Sequence, residues 1–527
     1  MVQPAAQPPN QTPVPLPVAA PAASRYWLLA ALVLAVAVFL RLFDIGRPSL
    51  WMDELWSIEV SMGHGSVHAL LPVGAIQEKQ IELTNLAGAA PWWKIWSNMI
   101  DVAHPPLYHV VLRWWMDLWG TGPVSARSLS AVFSLLALGI FLDICRLLHG
   151  SVVALFAVAV MGLSIAQLDF AQEARSYPML IFLCLAAADS LLRIERRGPT
   201  WPRLALLALA LAGAELTHYF AAPAIGVLGI YAMIRLRGRD LRRTLGALVA
   251  AAVIILVAWG PWFYRQIHTF PSLAPDFLID HSPHHLRDTL GRLSLLPGQF
   301  FLGEIFMRVY PAVGIAVGTF AVLLWLAACF SRRPDALLWS LWLIGIVGSM
   351  VLVDVLRHAV FLYYLRYTIL ASPALYALVA RFSWPWTQRL KHWPVAAVLV
   401  VLATLVVVRI HQGVPSKGNW RQFAQIVDAT VPPDALVVVY HDDPLVAPGL
   451  WYLAMRYYLP DSHRPWLLLR GPADAELLRQ LQRRDSLWLI SPDPPSVLQN
   501  LLPGWQRQRT QPTAVGTIYP MTRTAHP

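Results

Sequence analysis

Apolar residues in this chain run in unbroken stretches instead of alternating with polar ones. Runs of about 17 to 22 residues recur over the first four-fifths of the sequence, each long enough to cross a hydrocarbon core about 30 Å thick as a helix. Lipid offers the backbone no hydrogen-bond partner, so such runs must be helical. About eleven spans are expected, at 26–43, 124–144, 151–168, 177–194, 203–218, 219–234, 244–263, 311–330, 336–354, 361–380 and 394–410. The run 106–119 is too short, holds Arg113 and Asp117, and clusters Trp114, Trp115 and Trp119 as the headgroup zone favours. It is expected to lie on the membrane, and Trp92, Trp93 and Trp96 mark a second interfacial helix in the same loop.

Loop charge sets the orientation. Alternate loops carry Arg146; Arg196, Arg197 and Arg203; Arg235, Arg237, Arg239, Arg242 and Arg243; Arg332 and Arg333; and Arg381, Arg389 and Lys391. The positive-inside rule makes these loops cytoplasmic, so 44–123, the turns near 169–176 and 216–219, 264–310, the turn near 355–366 and everything after 410 face outward. Counting 106–119 as a span would invert every later loop and put its arginines outside.

Composition agrees with the pattern: 57% hydrophobic, 13% charged, far more apolar surface than a soluble fold buries. The net charge of +11 lies in short loops and not on one solvated face, so nucleic acid is not an expected partner. Cys145, Cys184 and Cys329 lie in or beside spans, with no disulfide or zinc spacing. Residues 1–24, rich in Pro, Ala and Gln, are expected to form a disordered cytoplasmic tail, and the first span has no cleavage site after it and is expected to be retained. Residues 25–410 then form the membrane domain, with 44–123 and 264–310 as its large outer loops. From 411 to 527 the composition turns to Pro, Asp, Gln and Arg, with strand-like runs at 436–440, 466–469 and 487–490, which predicts a small α/β domain outside the membrane. No glycine-rich phosphate loop, repeat or pair of interrupted helices is present.

The chemistry gathers in the outward segments. Asp53 and Glu54 stand between Trp51 and Trp56 just beyond the first span, and adjacent, partly desolvated carboxylates suit proton abstraction from a hydroxyl; an acidic turn held by Arg47 is the plainer alternative. The segment 101–108 brings His104 and Tyr108 around Pro105 and Pro106, which suffice by themselves to start a helix. Arg127, Arg175 and Arg366 reach membrane depth from the outer side, where an arginine needs an anion, either a ligand or a neighbour such as Glu173 or Asp169. Tyr177, His218, Tyr219 and Tyr367 flank them. Each signal is weak alone; the topology places all of them at one depth on one side, which suits an anionic lipid headgroup beside a carboxylate base.

These residues, namely Asp53-Glu54, His104-Pro105-Pro106-Leu107-Tyr108, Arg127, Gln172-Glu173-Ala174-Arg175-Ser176-Tyr177 and Arg366-Tyr367, resemble membrane glycosyltransferases of the GT-C type. The resemblance is to glycosyltransferase family 39, which holds protein O-mannosyltransferases and lipid A aminoarabinose transferases, and the bacterial members are nearest. It covers about residues 26–410; Trp420-Arg421 also looks like many bacterial members. It implies a polyprenyl-phosphate-linked sugar donor, an outward-facing site in a bacterial inner membrane, inversion at the anomeric carbon, and an envelope lipid, glycan or protein as acceptor. Asp53 would be the catalytic base, with Glu54 supporting it or orienting the acceptor, and Arg175, Arg366 and Arg127 would bind the leaving phosphate. His104, Tyr108, Tyr177, His218, Tyr219 and Tyr367 would line the substrate pocket. Some relatives hold a divalent cation near the first outer loop; Glu78, Glu82 and His218 are the nearest counterparts here, and the metal stays open. Lys79 is a candidate for touching the phosphate as well, with a solvated loop lysine as the plainer reading. A flippase gripping the same headgroup needs polar groups at the bilayer midplane, and the spans offer few, with Asp143 and Asp189 toward the cytoplasmic ends. An inactive scaffold is opposed by the retained Asp53 and arginines.

Overall fold

The computed structural model describes residues 23–99, 102–269, 279, 282, 284–330, 334–390, 393–412, 417–441, 448–493, 498 and 501–523. Residues 1–22 of the expected tail, the Arg332–Arg333 pair, Lys391 and Asp101 lie outside them, and Ala23 and Ser24 already belong to the first helix, Ala23–Leu42. Helices occupy most of the remaining chain up to residue 412. Pro123–His149, Tyr177–Arg197, Gly238–Thr269 and Leu337–Arg357 are long and apolar enough to cross a membrane. A bent pair, Ser151–Leu163 with Ile165–Ala171, adds a fifth if it counts as one span, and Tyr26–Leu42, Ala221–Arg235, Pro311–Ala327 and Val395–His411 are shorter apolar helices. The chain is a multi-pass membrane protein. Its largest core cluster joins these helices through Ala, Leu and Val contacts, with Trp339 and Trp342 fully buried within it.

Two of the expected spans depart from a straight helix. The run 151–168 bends by 61° at Ser164, whose hydroxyl leaves the helical pattern to donate to the Phe300 carbonyl (2.8 Å) and to meet the Tyr376 hydroxyl (2.8 Å). The run 361–380 is displaced: 361–371 form three successive tight turns, and the helix is Ser372–Arg389. The reason is Pro373, whose ring would strike the Ile369 carbonyl in a continuous helix but fits its first turn. Arg366 stands in the middle one of these tight turns, Leu365–Tyr367, outside any α-helix.

The stretch 264–310, expected as a loop, holds an unforeseen helix, His285–Leu302, against Pro311–Phe330. Their backbones meet at glycines: a Cβ on Gly298 would strike the Gly314 carbonyl oxygen, and one on Gly318 would come within 2.7 Å of the Gly298 nitrogen. Gly314 and Gly318 are four apart, the small-residue spacing that lets apolar helices touch without a solvent-driven force. Gly298→Val is expected to separate these helices and shorten the thermal-inactivation half-life of the purified protein several-fold, whereas Gly291→Ala, where a Cβ meets open space, leaves it unchanged.

Leu107–Trp119 is a short amphipathic helix that buries Tyr108, Val110, Leu112 and Met116 and exposes Trp114, Leu118 and Trp119. Its two charges satisfy one another, Arg113 donating to Asp117 at 2.8 Å. Trp93–Ser97 forms the second short helix of this loop.

Beyond residue 417 lies a sheet with β2 (Val437–Tyr440), β3 (Trp466–Leu469) and β4 (Ser486–Ser491) parallel in the order β3-β2-β4, as the three apolar runs predict. The helices Pro448–Tyr458 and Ala475–Leu481 make the crossovers. β5 (Trp505–Arg507), β6 (Gln511–Pro512) and β7 (Thr517–Arg523) add an antiparallel edge. The other edge comes from the long loop 44–123: β1 (Ile76–Gln77) pairs antiparallel with β3. The sheet is therefore completed by the loop that carries Asp53 and Glu54.

Candidate functional site

Asp53 and Glu54 open the helix Met52–Glu59, and as consecutive residues on a helix they point about 100° apart. That divergence decides their roles. Glu54 is fully buried and faces Arg127, which donates from Nε to Oε1 (2.7 Å) and from Nη2 to Oε2 (2.6 Å). The other Arg127 donors go to the carbonyls of Ile45 (2.9 Å), Pro48 (2.9 Å) and Ser49 (3.0 Å). Glu54 also accepts from the backbone N–H of Ala174 (2.8 Å) and Trp51 (3.2 Å). The pair is closed: Arg127 spends its guanidinium donors on Glu54 and the incoming loop, which leaves none for the phosphate expected of it above.

Asp53 points the other way, a quarter exposed. Arg366 donates from Nη1 to its Oδ2 at 2.9 Å, and Arg175 Nη2 lies 3.8 Å from the same oxygen. Arg175 Nη1 also donates to the Asp53 carbonyl and to Ser57 Oγ, both at 3.1 Å. Arg366 lies over Tyr364 and Tyr367 at 4.7 and 5.1 Å from the ring centroids, and Arg175 lies 5.8 Å from that of Tyr177. One carboxylate thus faces two guanidinium groups, and this cluster carries a surplus positive charge. The Nε atoms of both arginines are buried without a hydrogen-bond partner.

The imidazoles join the same cluster. The His104 and His218 ring centroids are 5.0 Å apart, His218 lies 5.6 Å from Tyr177, and Phe220, stacked on His218 at 4.7 Å, meets Tyr367 at 5.0 Å. His218 Nδ1 accepts from the Phe220 N–H (3.2 Å), which puts the proton of the neutral ring on Nε2. That N–H and His104 Nδ1 are both buried without partners. Burial, helped by His218 and the positive charge of Arg175, pulls the His104 pKa well below its usual value and keeps that ring neutral. Orphaned buried donors and acceptors are costly, and their concentration here is what a polar ligand would satisfy.

Two expected pocket residues turn elsewhere. Tyr219 donates to Gln266 Oε1 (2.5 Å) and accepts from Trp259 (2.9 Å), in a cluster with the helix Gly238–Thr269. Tyr108 packs among Leu50, Leu55, Leu112 and Met179. Side chains on adjacent residues diverge, so His218 and Tyr219 cannot both face one pocket. Glu78 pairs with Arg484 (3.1 Å) and Glu82 with Arg456, both on the sheet unit, and Lys79 is exposed. Glu78, Glu82 and His218 do not form a ligand set, and among the described residues no group of three or more His, Cys, Asp and Glu could hold a metal ion.

A cavity of about 510 Å³ opens beside Arg366. Apolar Ile45, Ile165, Phe170, Ile305, Phe306 and Leu365 line part of it, and charged groups line the rest. Those charges are largely paired: Arg409 with Asp169 (2.7 Å), Lys417 with Glu173 (2.7 Å), and Arg308 with Glu304 (2.6 Å). Lys417, Trp51, Arg409 and Ser57 were not anticipated as site residues. No periodicity or motif marks Lys417, which stands in a polar junction, whereas Ser57 was legible as the residue one helical turn after Asp53.

Residues 103–264 match the family described as dolichyl-phosphate-mannose-protein mannosyltransferase. Among solved structures, a variant of the arabinofuranosyltransferase AftD from Mycobacteria is similar at TM-score 0.51 and 15% identity, covering 97% of this chain and 42% of that one. ArnT from Cupriavidus metallidurans in the apo state is similar at TM-score 0.46 and 15% identity, covering 95% of this chain and 98% of ArnT. ArnT bound to undecaprenyl phosphate gives TM-score 0.45 and 16% identity over the same shares, 95% and 98%. No curated protein matches the chain by sequence. At these identities the likeness concerns the fold alone.

Proposed function

From a chain with the GT-C glycosyltransferase fold, we propose an inverting glycosyltransferase that moves a hexose or pentose from a polyprenyl-phosphate donor to an envelope lipid, glycan or protein, at the outward face of a bacterial inner membrane. The observation that carries this reading is the charge imbalance at Asp53: one carboxylate, two guanidinium groups with little exposure, and beside Arg366 a cavity lined in part by apolar side chains. A phosphate ester on a hydrocarbon chain matches all three features. The orientation rests on the arginine loops: Arg127, Arg175, His218 and Arg366 sit at the helix ends opposite Arg146, Arg196, Arg197 and Arg235.

In the proposed step an acceptor hydroxyl gives its proton to Asp53 as its oxygen attacks the anomeric carbon on the face opposite the phosphate. The bond from that carbon to the phosphate oxygen breaks, so configuration inverts and polyprenyl phosphate leaves with one more negative charge than it had in the diester. Arg175 and Arg366 meet that growing charge, so they stabilise the transition state more than the ground state. His218 Nε2–H and His104 Nδ1 supply neutral partners for sugar hydroxyls. Glu54 touches no substrate; through Arg127 and the Ala174 N–H it holds the Asp53 helix against the segment that ends in Arg175.

Mass spectrometry of envelope lipids and glycans with and without the protein is expected to show one sugar missing, naming the donor and the acceptor together. In vitro, Arg366→Gln is expected to weaken binding of undecaprenyl phosphate about 10- to 100-fold, since a hydrogen bond to a charged group contributes about 1.5–3 kcal/mol. Affinity unchanged in both Arg366→Gln and Arg175→Gln would remove the phosphate from this cluster.

A further inference from the structure

Lys417 enters the cavity from the junction between the last membrane-type helix, Trp393–Gln412, and the helix Trp420–Thr430 that opens the sheet unit. The junction is tied to the catalytic loop: Ser49 Oγ donates to the Gly418 carbonyl (2.8 Å), and Arg421 donates to the carbonyls of Arg47 (3.1 Å) and Gly46 (3.2 Å). Gly418 has φ +120°, and a Cβ there would stand 2.8 Å from Trp420 Nε1, so the path that delivers the lysine requires glycine. The ammonium then lies 2.7 Å from Glu173 Oε1 and 4.0 Å from the centroid of the Trp51 ring. Trp51 is two residues before Asp53 and Glu173 two before Arg175, so one lysine touches both segments that carry the reacting groups.

The other cations lining the cavity differ from it. Arg127 is fully engaged with Glu54 and three carbonyls, and Arg409 is held by Asp169 and by Gln172 Oε1 (3.1 Å). Arg308 pairs with Glu304 one turn earlier on its own short helix and is mostly exposed. Lys417 is anchored to a single carboxylate oxygen, while the second oxygen of Glu173 is buried without a partner. Its side chain is a third exposed; desolvation disfavours the charge, but Glu173 and then Asp53 raise the pKa above the usual lysine value, so the ammonium keeps its proton.

We propose that Lys417 is a third phosphate ligand held in reserve by Glu173, and that it turns from this carboxylate to a lipid phosphate entering the cavity beside Arg366. The inference rests on the phosphate-binding role argued above for that cluster. It gives the sheet unit a function, since the unit's tether places a cation in the membrane site. A lysine suits the exchange: its ammonium is a point charge on a flexible stem, and the Trp51 face supports it in either position.

The test is affinity for undecaprenyl phosphate, measured on the full-length protein in detergent with three variants. Lys417→Gln is expected to weaken binding about tenfold. Glu173→Gln, which removes the competing anion, is expected to tighten it several-fold, and the double variant to bind as Lys417→Gln does. Lys417→Arg is expected to restore most of the loss. A purely structural ion pair would differ at Glu173→Gln, which would then bind more weakly, as Lys417→Gln does, with both variants unfolding at lower temperature; that result, or unchanged binding by Lys417→Gln while Arg366→Gln weakens it, overturns the inference. If the wild-type protein does not bind undecaprenyl phosphate, the phosphate-binding reading fails, and this inference with it.

Discussion

Asp53→Asn is expected to reduce sugar transfer about a hundred- to ten-thousandfold while the protein folds and still binds its lipid phosphate. A positioned general base contributes about 10²–10⁴-fold, and an amide oxygen cannot take the acceptor proton at all. The substitution preserves shape, and Asp53 is a quarter exposed, so the change is not made in the packed core. Arg366 keeps an oxygen to donate to, but the two guanidinium groups lose the carboxylate that neutralises them. Affinity for undecaprenyl phosphate should therefore hold or rise. That split, a lost turnover with undiminished binding, separates a base from a residue that merely orders the site. Undiminished turnover would remove Asp53 from the mechanism.

Arg127→Met is expected to be the most damaging single change to stability in the site. It leaves Glu54 buried and charged with only two backbone N–H groups for partners, and breaking a buried pair in this way costs about 3–5 kcal/mol. It also orphans the carbonyls of Ile45, Pro48 and Ser49, which end the turn leading from the first helix to Asp53. Arg127→Lys should recover little, because an ammonium cannot form the two parallel bonds to Glu54 while reaching those carbonyls. The measurement is folded yield and thermal-inactivation half-life in detergent, since a protein of this kind unfolds irreversibly. If Arg127 were a phosphate ligand instead, Arg127→Met would fold normally and fail only in binding undecaprenyl phosphate.

These contrasting roles for neighbouring or similar residues show where sequence patterning stops. Asp53 and Glu54 are indistinguishable as an acidic pair, and Arg127, Arg175 and Arg366 as three outward arginines. The helix Met52–Glu59 separates the first two by rotating them to different faces. The arginines are separated by what each meets: Arg127 a buried carboxylate and three carbonyls, Arg175 and Arg366 a shared, half-open one. His218 and Tyr219 divide in the same way, one into the cluster and one onto Gln266. Apolar runs were legible because each must satisfy its own backbone within lipid, a local requirement. The displaced helix at Ser372 was legible too, through Pro373, but the run of apolar residues before it masked the signal.

What the sequence determined by itself was the membrane class, most of the helix positions, and the three strand-forming runs of the small sheet. All of these follow from periodicity and helix-breaking residues, which act over a few residues. Only the tertiary structure decided that β1 leaves the first loop to pair with β3, that Glu54 and Arg127 close upon each other, and that Lys417 arrives at Glu173 from a junction more than two hundred residues away in the chain. Those are pairings of opposite charges and of open strand edges, and any of several partners would satisfy them equally well until the packing of the helices leaves one within reach.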